Sequence, residues 1–155
     1  DRTFPTSGHP LPTCFVCGPH RDVGDGLRIH VGPLDAGDDD WTGLLAAVWT
    51  PDVSLASEDG FIRPEFLWAA LDCPTAYAVS SARGMRSVLL GRQTGRIDGV
   101  TEAGASVIVV ARREAQEGRK HTARSWLFDQ HGKLLAACQA VWIEVSPGVL
   151  RGLAV

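Results

Sequence analysis

The sequence has little of several features that mark specialised protein classes. It contains four cysteines, one methionine and one tyrosine in 155 residues. Four cysteines are too few for a disulfide scaffold in a domain that is long enough to bury its own apolar core. No apolar run reaches membrane-spanning length, and no charged segment followed by an apolar one stands at the start. These absences predict a soluble, cytoplasmic protein with no membrane partner.

An excess of positive charge is also missing. The chain has 15 Lys and Arg residues against 18 Asp and Glu residues, which gives a net charge of −3 at pH 7. This balance argues against a general binder of nucleic acids or of anionic membranes. Hydrophobic residues make up 45% of the chain and charged residues 21%, a composition typical of globular proteins. We therefore expect one folded domain without a nucleic-acid partner.

The most apolar helical pattern covers residues 63–80, RPEFLWAALDCPTAYAVS. Apolar side chains occur on nearly all sides of this helix, which predicts that it is buried. Pro64 suits the first helical position, where its missing N–H has no consequence. Pro74 cannot donate to the carbonyl four residues earlier, so the helix should bend or restart at residues 71–73. Gly84 is expected to cap its end.

Asp72 is the unusual residue of this helix, because it lies among apolar neighbours. Burying an unpaired carboxylate is costly, so the group must find donors, raise its pKa or face a cleft. Two structural interpretations stay open: Asp72 bonds backbone groups freed near Pro74, or it lies on a strip facing water. A functional interpretation, as an acid or base, competes with both.

The N-terminal segment contains a Cys-x-x-Cys motif, Cys14 to Cys17, flanked by His9 and His20. Two Cys and two His could form a tetrahedral zinc site, but the two His straddle the motif and no second Cys-x-x-Cys exists. A tight turn with packed thiols is the preferred interpretation, and no metal is assigned. Cys73 has no His near it in sequence and is not assigned as a nucleophile.

One alternating segment, residues 27–34, and a series of strand-like runs separated by turn signals predict the sheet. The predicted strands cover residues 27–34, 41–50, 87–98, 105–114, 120–129 and 134–145. A turn at 35–40 joins the first two into a hairpin, the last four form a consecutive antiparallel meander, and 149–155 are a tail. A curled sheet wrapped around the helix would bury the whole helix. The sequence thus predicts an α+β fold, with residues 27–155 as one domain and residues 1–26 as an extended arm packed on it.

This layout resembles the hotdog fold, in which a curled antiparallel sheet of about six strands wraps one long buried helix. Several motifs resemble those of PaaI-like hotdog thioesterases, and their order and spacing match together. The stretches are CFVCGP at 14–19, GLRI at 26–29, AALD at 69–72, GRK at 118–120, LFD at 127–129 with Gly132, and AVWI at 140–143. The resemblance extends over nearly the whole chain.

The resemblance implies hydrolysis of acyl-CoA thioesters without a cofactor, by a homodimer or a dimer of dimers with active sites at the subunit interface. It implies that Asp72 is the catalytic base or nucleophile. The family usually has His-Gly-Gly at the helix start, whereas this chain has Arg-Pro-Glu at 63–65. The oxyanion donors are therefore expected from Gly60 or Phe61. Glu65 is the second candidate base, although a first-turn acid favoured by the helix dipole explains it as well.

An acyl-CoA ligand also requires a basic rim and an apolar pocket. Arg92, Arg119 and Lys120 are candidates for the phosphates, and Trp68 is a candidate wall of the acyl pocket. The altered helix start keeps a second function open, that of a non-hydrolytic hotdog protein binding acyl-CoA or a small ligand. A hydratase or dehydratase is disfavoured because no helix His lies beside the carboxylate. A zinc-binding interaction module on the arm is the third alternative.

Overall fold

The structure, a computed structural model, describes residues 9–34, 42–80 and 86–153. The strands are β1 (Gly32–Pro33), β2 (Leu45–Trp49), β3 (Val88–Ile97), β4 (Val107–Glu117), β5 (Lys120–Asp129) and β6 (Leu134–Glu144). The helices are α1 (Pro64–Ala70), α2 (Asp72–Ala78) and α3 (Pro147–Leu153), with a short 3-10 helix at Val53–Leu55. The strands form one antiparallel sheet in the order β1-β2-β4-β5-β6-β3.

The alternation of side chains along the strands separates an inner face of the sheet, which packs on α1 and α2, from an outer face. In β5, Ala123, Ser125 and Leu127 are buried on the inner face, whereas Arg124 and Trp126 between them point outward. Successive residues of a strand point to opposite faces, so this pattern is what one buried face requires. The core therefore lies between the inner face and the helices.

The predicted helix is present as two short helices with a break at Leu71. Pro74 lies in the first turn of α2, where no N–H is needed, and the chain restarts at Asp72. The predicted restart is thus confirmed. Burial all round holds for α2 but is wrong for α1, where Glu65 and Trp68 are exposed. Among the helices that the structure describes, none is long and apolar enough to cross a membrane.

The first predicted strand, residues 27–34, is mostly wrong. Within this range only Gly32 and Pro33, which form β1, pair with β2. The N–H groups of Leu27 and Ile29 instead donate to carbonyls of the N-terminal segment at 2.8 and 2.9 Å. Between them Arg28 has a φ of 53°, which interrupts an extended run. Local backbone geometry thus takes this segment out of the sheet.

The predicted meander is also wrong in its order. β4, β5 and β6 are consecutive neighbours, but β3 pairs with β6 at the far edge. The other side of β4 is occupied by β2, so β3 cannot pair with β4 and joins the sheet at the β6 edge. The predicted tail at 149–155 is also wrong up to residue 153, because these residues belong to α3, which begins at Pro147. The predicted turn at 35–40, the start of the second strand at 41 and the Gly84 cap lie outside the described residues.

Candidate active site at the helix break

Asp72 is the first residue of α2 and lies at the break between the two helices. Its side chain is half-buried, and its Oδ1 atom is fully buried without a hydrogen-bond partner in the part of the chain that the structure describes. Burial and, secondly, negative charge on the Cys14 sulfur raise the pKa of Asp72 to about 6. The carboxylate is therefore more basic than an exposed one and still mainly ionised at neutral pH.

Three side chains hold the backbone on either side of this carboxylate. The Ser125 hydroxyl on β5 donates to the Leu71 carbonyl at 2.6 Å. The Thr75 hydroxyl donates to the Asp72 carbonyl at 2.6 Å, and the Trp142 indole N–H on β6 donates to the Thr75 oxygen at 2.8 Å. The bonds of Ser125 and Trp142 are buried, and they connect the helix break firmly to the sheet.

Sequence reasoning did not find these positioning residues. Ser125 could have been noticed from the sequence, because it is a polar residue at a position of β5 that faces the core. The pairing of Thr75 with Trp142 could not have been predicted, since their bond joins residues 67 positions apart in the chain. Only the packing of α2 on β6 brings them together.

A cluster of thiols lies on one flank of Asp72. The sulfurs of Cys14, Cys17 and Cys73 all lie within 4.8 Å of one another, and the Cys14 and Cys73 sulfurs are 3.5 Å apart. Hydrogen bonds from the Cys17 and Cys73 thiols lower the pKa of Cys14, and the same bonds raise the pKa of the two donors. His9 Nε2 is 3.5 Å from the Cys17 sulfur.

This cluster differs from the constellation that the motif alone suggested. The predicted tight turn is confirmed, since the Gly18 N–H donates to the Cys14 carbonyl at 2.8 Å. His20, the other flanking histidine, is exposed. Cys73 joins from α2, which sequence reasoning missed because the two segments are 59 residues apart. The Cys-x-x-Cys-Gly turn indicated a possible cluster of thiols, but it does not indicate which other residue contacts it.

On α1, the two predicted site residues lie near the surface. Glu65 is exposed, and its Oε1 is 3.7 Å from Arg63 Nε, an arrangement that suits a first-turn acid. Trp68 is 38% exposed, and its carbonyl accepts a bond from Gln93 Nε2 on β3 at 3.2 Å. Their roles as a base and as a pocket wall stay predictions, but Trp68 lies on the flank of α1 that faces β3.

Gly60 and Phe61 lie in the loop that leads to α1, separated from the helix by Ile62 and the N-cap residue Arg63. Their N–H groups are already bonded: Gly60 donates to the Ser57 carbonyl at 2.9 Å and Phe61 to Asp59 Oδ1 at 3.1 Å. Gly60 has a φ of 83°, which forms this turn. Their role as oxyanion donors stays a prediction, and it requires one of these bonds to be exchanged for substrate.

The predicted phosphate-binding residues occupy the outer face of the sheet. Arg92 and Lys120 line the same open cleft of about 460 Å³, together with Glu117 and apolar side chains of β6. Arg119 lies in the turn between β4 and β5 and is not among its lining residues. Asp72 lies on α2, which packs on the inner face of the sheet. Within one chain, Arg92 and Lys120 therefore lie near each other but on the opposite side of the sheet from the carboxylate.

The remaining flank of the site is the free edge of β3. β3 pairs with β6 on one side, and no described strand pairs with its other side. Its inner-face residues Leu90 and Ile97 are 40% and 36% exposed. A long unpaired edge with exposed apolar side chains is a surface on which another strand can pair.

Comparisons with known proteins show which fold this arrangement belongs to. No protein-family profile and no curated protein matches the chain. Solved structures do match. The PaaI protein of the Escherichia coli phenylacetic acid degradation operon has a TM-score of 0.61 at 16% identity, over 68% of this chain and 75% of that one. Zebrafish thioesterase superfamily member 2 has a TM-score of 0.62 at 16% identity, over 74% and 81%.

A third match is a phenylacetic acid degradation-related protein from Ralstonia eutropha, described as a putative thioesterase, with a TM-score of 0.59 at 21% identity, over 70% and 81% of the two chains. These likenesses at low identity establish the fold. The chain has the hotdog fold, a curled six-stranded antiparallel sheet around a central helical segment, and the predicted α+β class is confirmed.

Proposed function

We propose that this protein is an acyl-CoA thioesterase in which Asp72 is the general base. The observation that carries the proposal is the buried Asp72 oxygen at the helix break, which has no hydrogen-bond partner among the described residues, in a fold shared with thioesterase superfamily proteins. A buried, unpaired carboxylate is costly and is found where chemistry needs it. The bonds from Ser125 and Thr75 support the role, because they hold the backbone that presents it.

The reaction proceeds through attack of water on the thioester carbonyl. Asp72 accepts a proton from the water as the oxygen–carbon bond forms, and N–H donors stabilise the oxyanion. Collapse of the tetrahedral intermediate breaks the carbon–sulfur bond, and the proton passes from Asp72 to the departing thiolate. The products are a carboxylic acid and CoA. Phe61 N–H is the readier oxyanion donor, because its present acceptor, Asp59, is an exposed side chain.

The active form is a homodimer, or a dimer of dimers, joined through the β3 edges. The free edge and the exposed inner-face residues Leu90 and Ile97 support this assembly. Arg92 is on β3 itself, so the cleft that it shares with Lys120 lies next to the joined edges. These two cations would bind CoA phosphates. The cytoplasmic location and the absence of a catalytic cofactor stay predictions.

A second candidate function is the binding of an acyl-CoA or similar ligand without hydrolysis. The bonded N–H groups of Gly60 and Phe61 favour it, as does Pro64, which has no N–H to offer. Loss of a single oxyanion donor costs on the order of 100- to 1000-fold in turnover, so a chain without such donors would hydrolyse its ligand slowly even with a positioned base. The two functions share the ligand and differ in turnover.

Thiol release from short, long and aromatic acyl-CoAs distinguishes the two functions. We expect turnover of at least one substrate, and Asp72→Asn should lower it at least about 100-fold, the loss typical of a positioned base. Glu65→Gln is the matched control and should change turnover less than about threefold. Turnover that survives Asp72→Asn but not Glu65→Gln would move the chemistry to Glu65. Acyl-CoA binding without any turnover would establish the second candidate.

A further inference from the structure

The thiol cluster has the spacing of a tetrahedral metal site. Its three sulfurs lie within 4.8 Å of one another, with the Cys14 and Cys73 sulfurs 3.5 Å apart. Zinc–sulfur bonds of 2.3 Å in a tetrahedron place the sulfurs about 3.8 Å apart. Small side-chain movements would therefore bring all three sulfurs to one ion. The fourth cysteine, Cys138, bonds with Ser125 on the inner face and does not belong to the cluster.

The tight turn at 14–18 holds the Cys14 and Cys17 sulfurs close together. Two cysteines separated by two residues are a common ligand spacing in zinc sites. A Cβ on Gly18 would lie 2.5 Å from both the N and O atoms of Cys14, so a side chain here would force the turn open. Backbone groups of Val16 and Cys17 contribute to lowering the pKa of Cys14, which favours the thiolate form that a metal ion binds.

His9 supplies a nitrogen at the border of the cluster. Its Nε2 atom is 3.5 Å from the Cys17 sulfur, close to the separation of about 3.6 Å expected between a nitrogen and a sulfur ligand of one zinc ion. His9 Nδ1 now accepts a bond from the Leu11 N–H at 3.1 Å. Coordination through Nε2 requires the proton on Nδ1, so metal binding would break that bond and the Nε2 contact with the Tyr77 hydroxyl.

We propose that Cys14, Cys17 and Cys73 bind one zinc ion, with His9 as the fourth ligand. Three thiolates and one imidazole in a tetrahedral arrangement are a donor set that selects zinc. This proposal replaces the sequence-based expectation of no metal, and it is independent of the proposed hydrolysis. Four protein ligands leave no open position, so the ion is structural. It ties the N-terminal segment to α2 at the residue next to Asp72.

The metal content of the full chain tests the proposal directly. The protein is purified with reductant and without chelator, incubated with excess Zn²⁺, and freed of unbound metal before elemental analysis. We expect about one zinc per chain. Cys17→Ser and Cys73→Ser should each weaken zinc affinity at least about 100-fold. This is at least the loss found when a residue that only hydrogen-bonds to a metal ligand is replaced. Cys138→Ser removes the cysteine outside the cluster and should retain full zinc content.

Co²⁺ substitution of the unmutated chain keeps the test valid if a serine variant fails to fold. We expect intense visible bands of tetrahedral Co²⁺ and near-ultraviolet charge-transfer bands of an intensity that corresponds to three thiolates. His9→Ala should weaken zinc binding roughly tenfold or more, whereas His20→Ala, at the exposed flanking histidine, should not. Equal affinity of these two variants would remove His9 from the ligand set.

Three results would overturn the zinc site. The first is less than about a tenth of an equivalent of zinc in the unmutated, Zn²⁺-incubated chain, since a closed site binds zinc tightly. The second is full zinc content in Cys73→Ser. The third is a Cys14–Cys73 disulfide in protein prepared with reductant, detected as the loss of two hydrogen masses, because two oxidised sulfurs cannot serve as thiolate ligands.

Discussion

The two flanks of the site helices are closed in different ways. On the flank of the N-terminal segment, the chain itself supplies the cover: the Phe15 ring lies 5.9 Å from the Phe66 ring, and Cys14 contacts Cys73. On the β3 flank, Trp68, Leu90 and Ile97 stay 36–40% exposed. Both flanks border the same helix break, so Asp72 lies between a closed side and an open one.

This difference indicates what each flank requires. The closed flank depends on a tight turn that admits no added atom at Gly18 and is therefore intolerant of local change. The open flank leaves backbone groups and apolar side chains for another molecule, and we propose a second copy. Variants that act on one flank alone test whether the two are separate.

The largest effect on stability is expected from Gly18→Ala. The added Cβ would meet backbone atoms of Cys14 and Pro12 at 2.5–2.6 Å, none of which belongs to a flexible side chain. We expect the free energy of unfolding to fall by about 3 kcal/mol, measured by urea denaturation. Gly148→Ala, at an α3 glycine where an added Cβ would meet no atom within 4 Å outside the adjacent backbone of its own helix, should cause no loss. Equal loss in both variants would contradict a rigid turn.

Leu90→Asp tests the open flank. A charge on the inner face of the β3 edge should weaken the proposed dimer roughly 100-fold, the size of effect seen for a central interface residue. Light scattering across a protein dilution series measures the shift toward monomer. Val48→Asp is the control, because Val48 is 71% exposed on the outer face of β2, away from this edge. A wild-type monomer, or equal dissociation of both variants, would contradict assembly through β3.

Ser125→Ala removes one bond that positions the helix break. The Leu71 carbonyl would lose its 2.6 Å hydrogen bond from Ser125, and the Cys138 sulfur, 3.7 Å away, is a weak substitute. We expect the free energy of unfolding to fall by about 1.5 kcal/mol, as for other buried hydrogen bonds. Ser54→Ala, which removes an exposed hydroxyl bonded to the Gly24 carbonyl at 3.2 Å, should change it by less than about 0.5 kcal/mol. Indistinguishable variants would remove Ser125 from the positioning bonds.

The smallest effect is expected from the outer cleft. Replacing Arg92 and Lys120 together by Ala should raise KM for an acyl-CoA about three- to tenfold at low salt and leave kcat unchanged, because exposed cations contribute modestly to phosphate binding. Arg119→Ala, outside the cleft, should leave KM unchanged. A rise in KM for Arg119→Ala alone would place the phosphates at the β4–β5 turn instead.

How far the sequence predicted this structure differs between local and long-range features. Strand β5 was predicted at its observed bounds, because the strand-prone run around Trp126 and Phe128 and the Gly132 turn are local signals. The helix restart followed from Pro74 alone. The position of β3 beyond β6 was not predictable in the same way, since consecutive strands usually neighbour each other and the exception depends on β2 occupying the side of β4.

In the candidate site, too, local features were predictable from the sequence and long-range contacts were not. Asp72 was identified from sequence because a carboxylate among apolar helix residues is locally anomalous. Its surroundings were not, because Ser125, Trp142 and Cys14 reach the helix break from distant segments. The grouping of Arg92 and Lys120 in one cleft likewise depends on the pairing of β3 with β6 and of β5 with β6.

By itself, the sequence determined the helix with its break, most of the strands and the carboxylate at their centre. Each of these depends on side-chain periodicity or on one proline, which act over a few residues. Only the tertiary structure decided that three cysteines and a histidine meet beside that carboxylate, and that β3 forms an open edge. Contacts between segments 59 residues apart depend on the packing of the whole chain, which no local pattern contains.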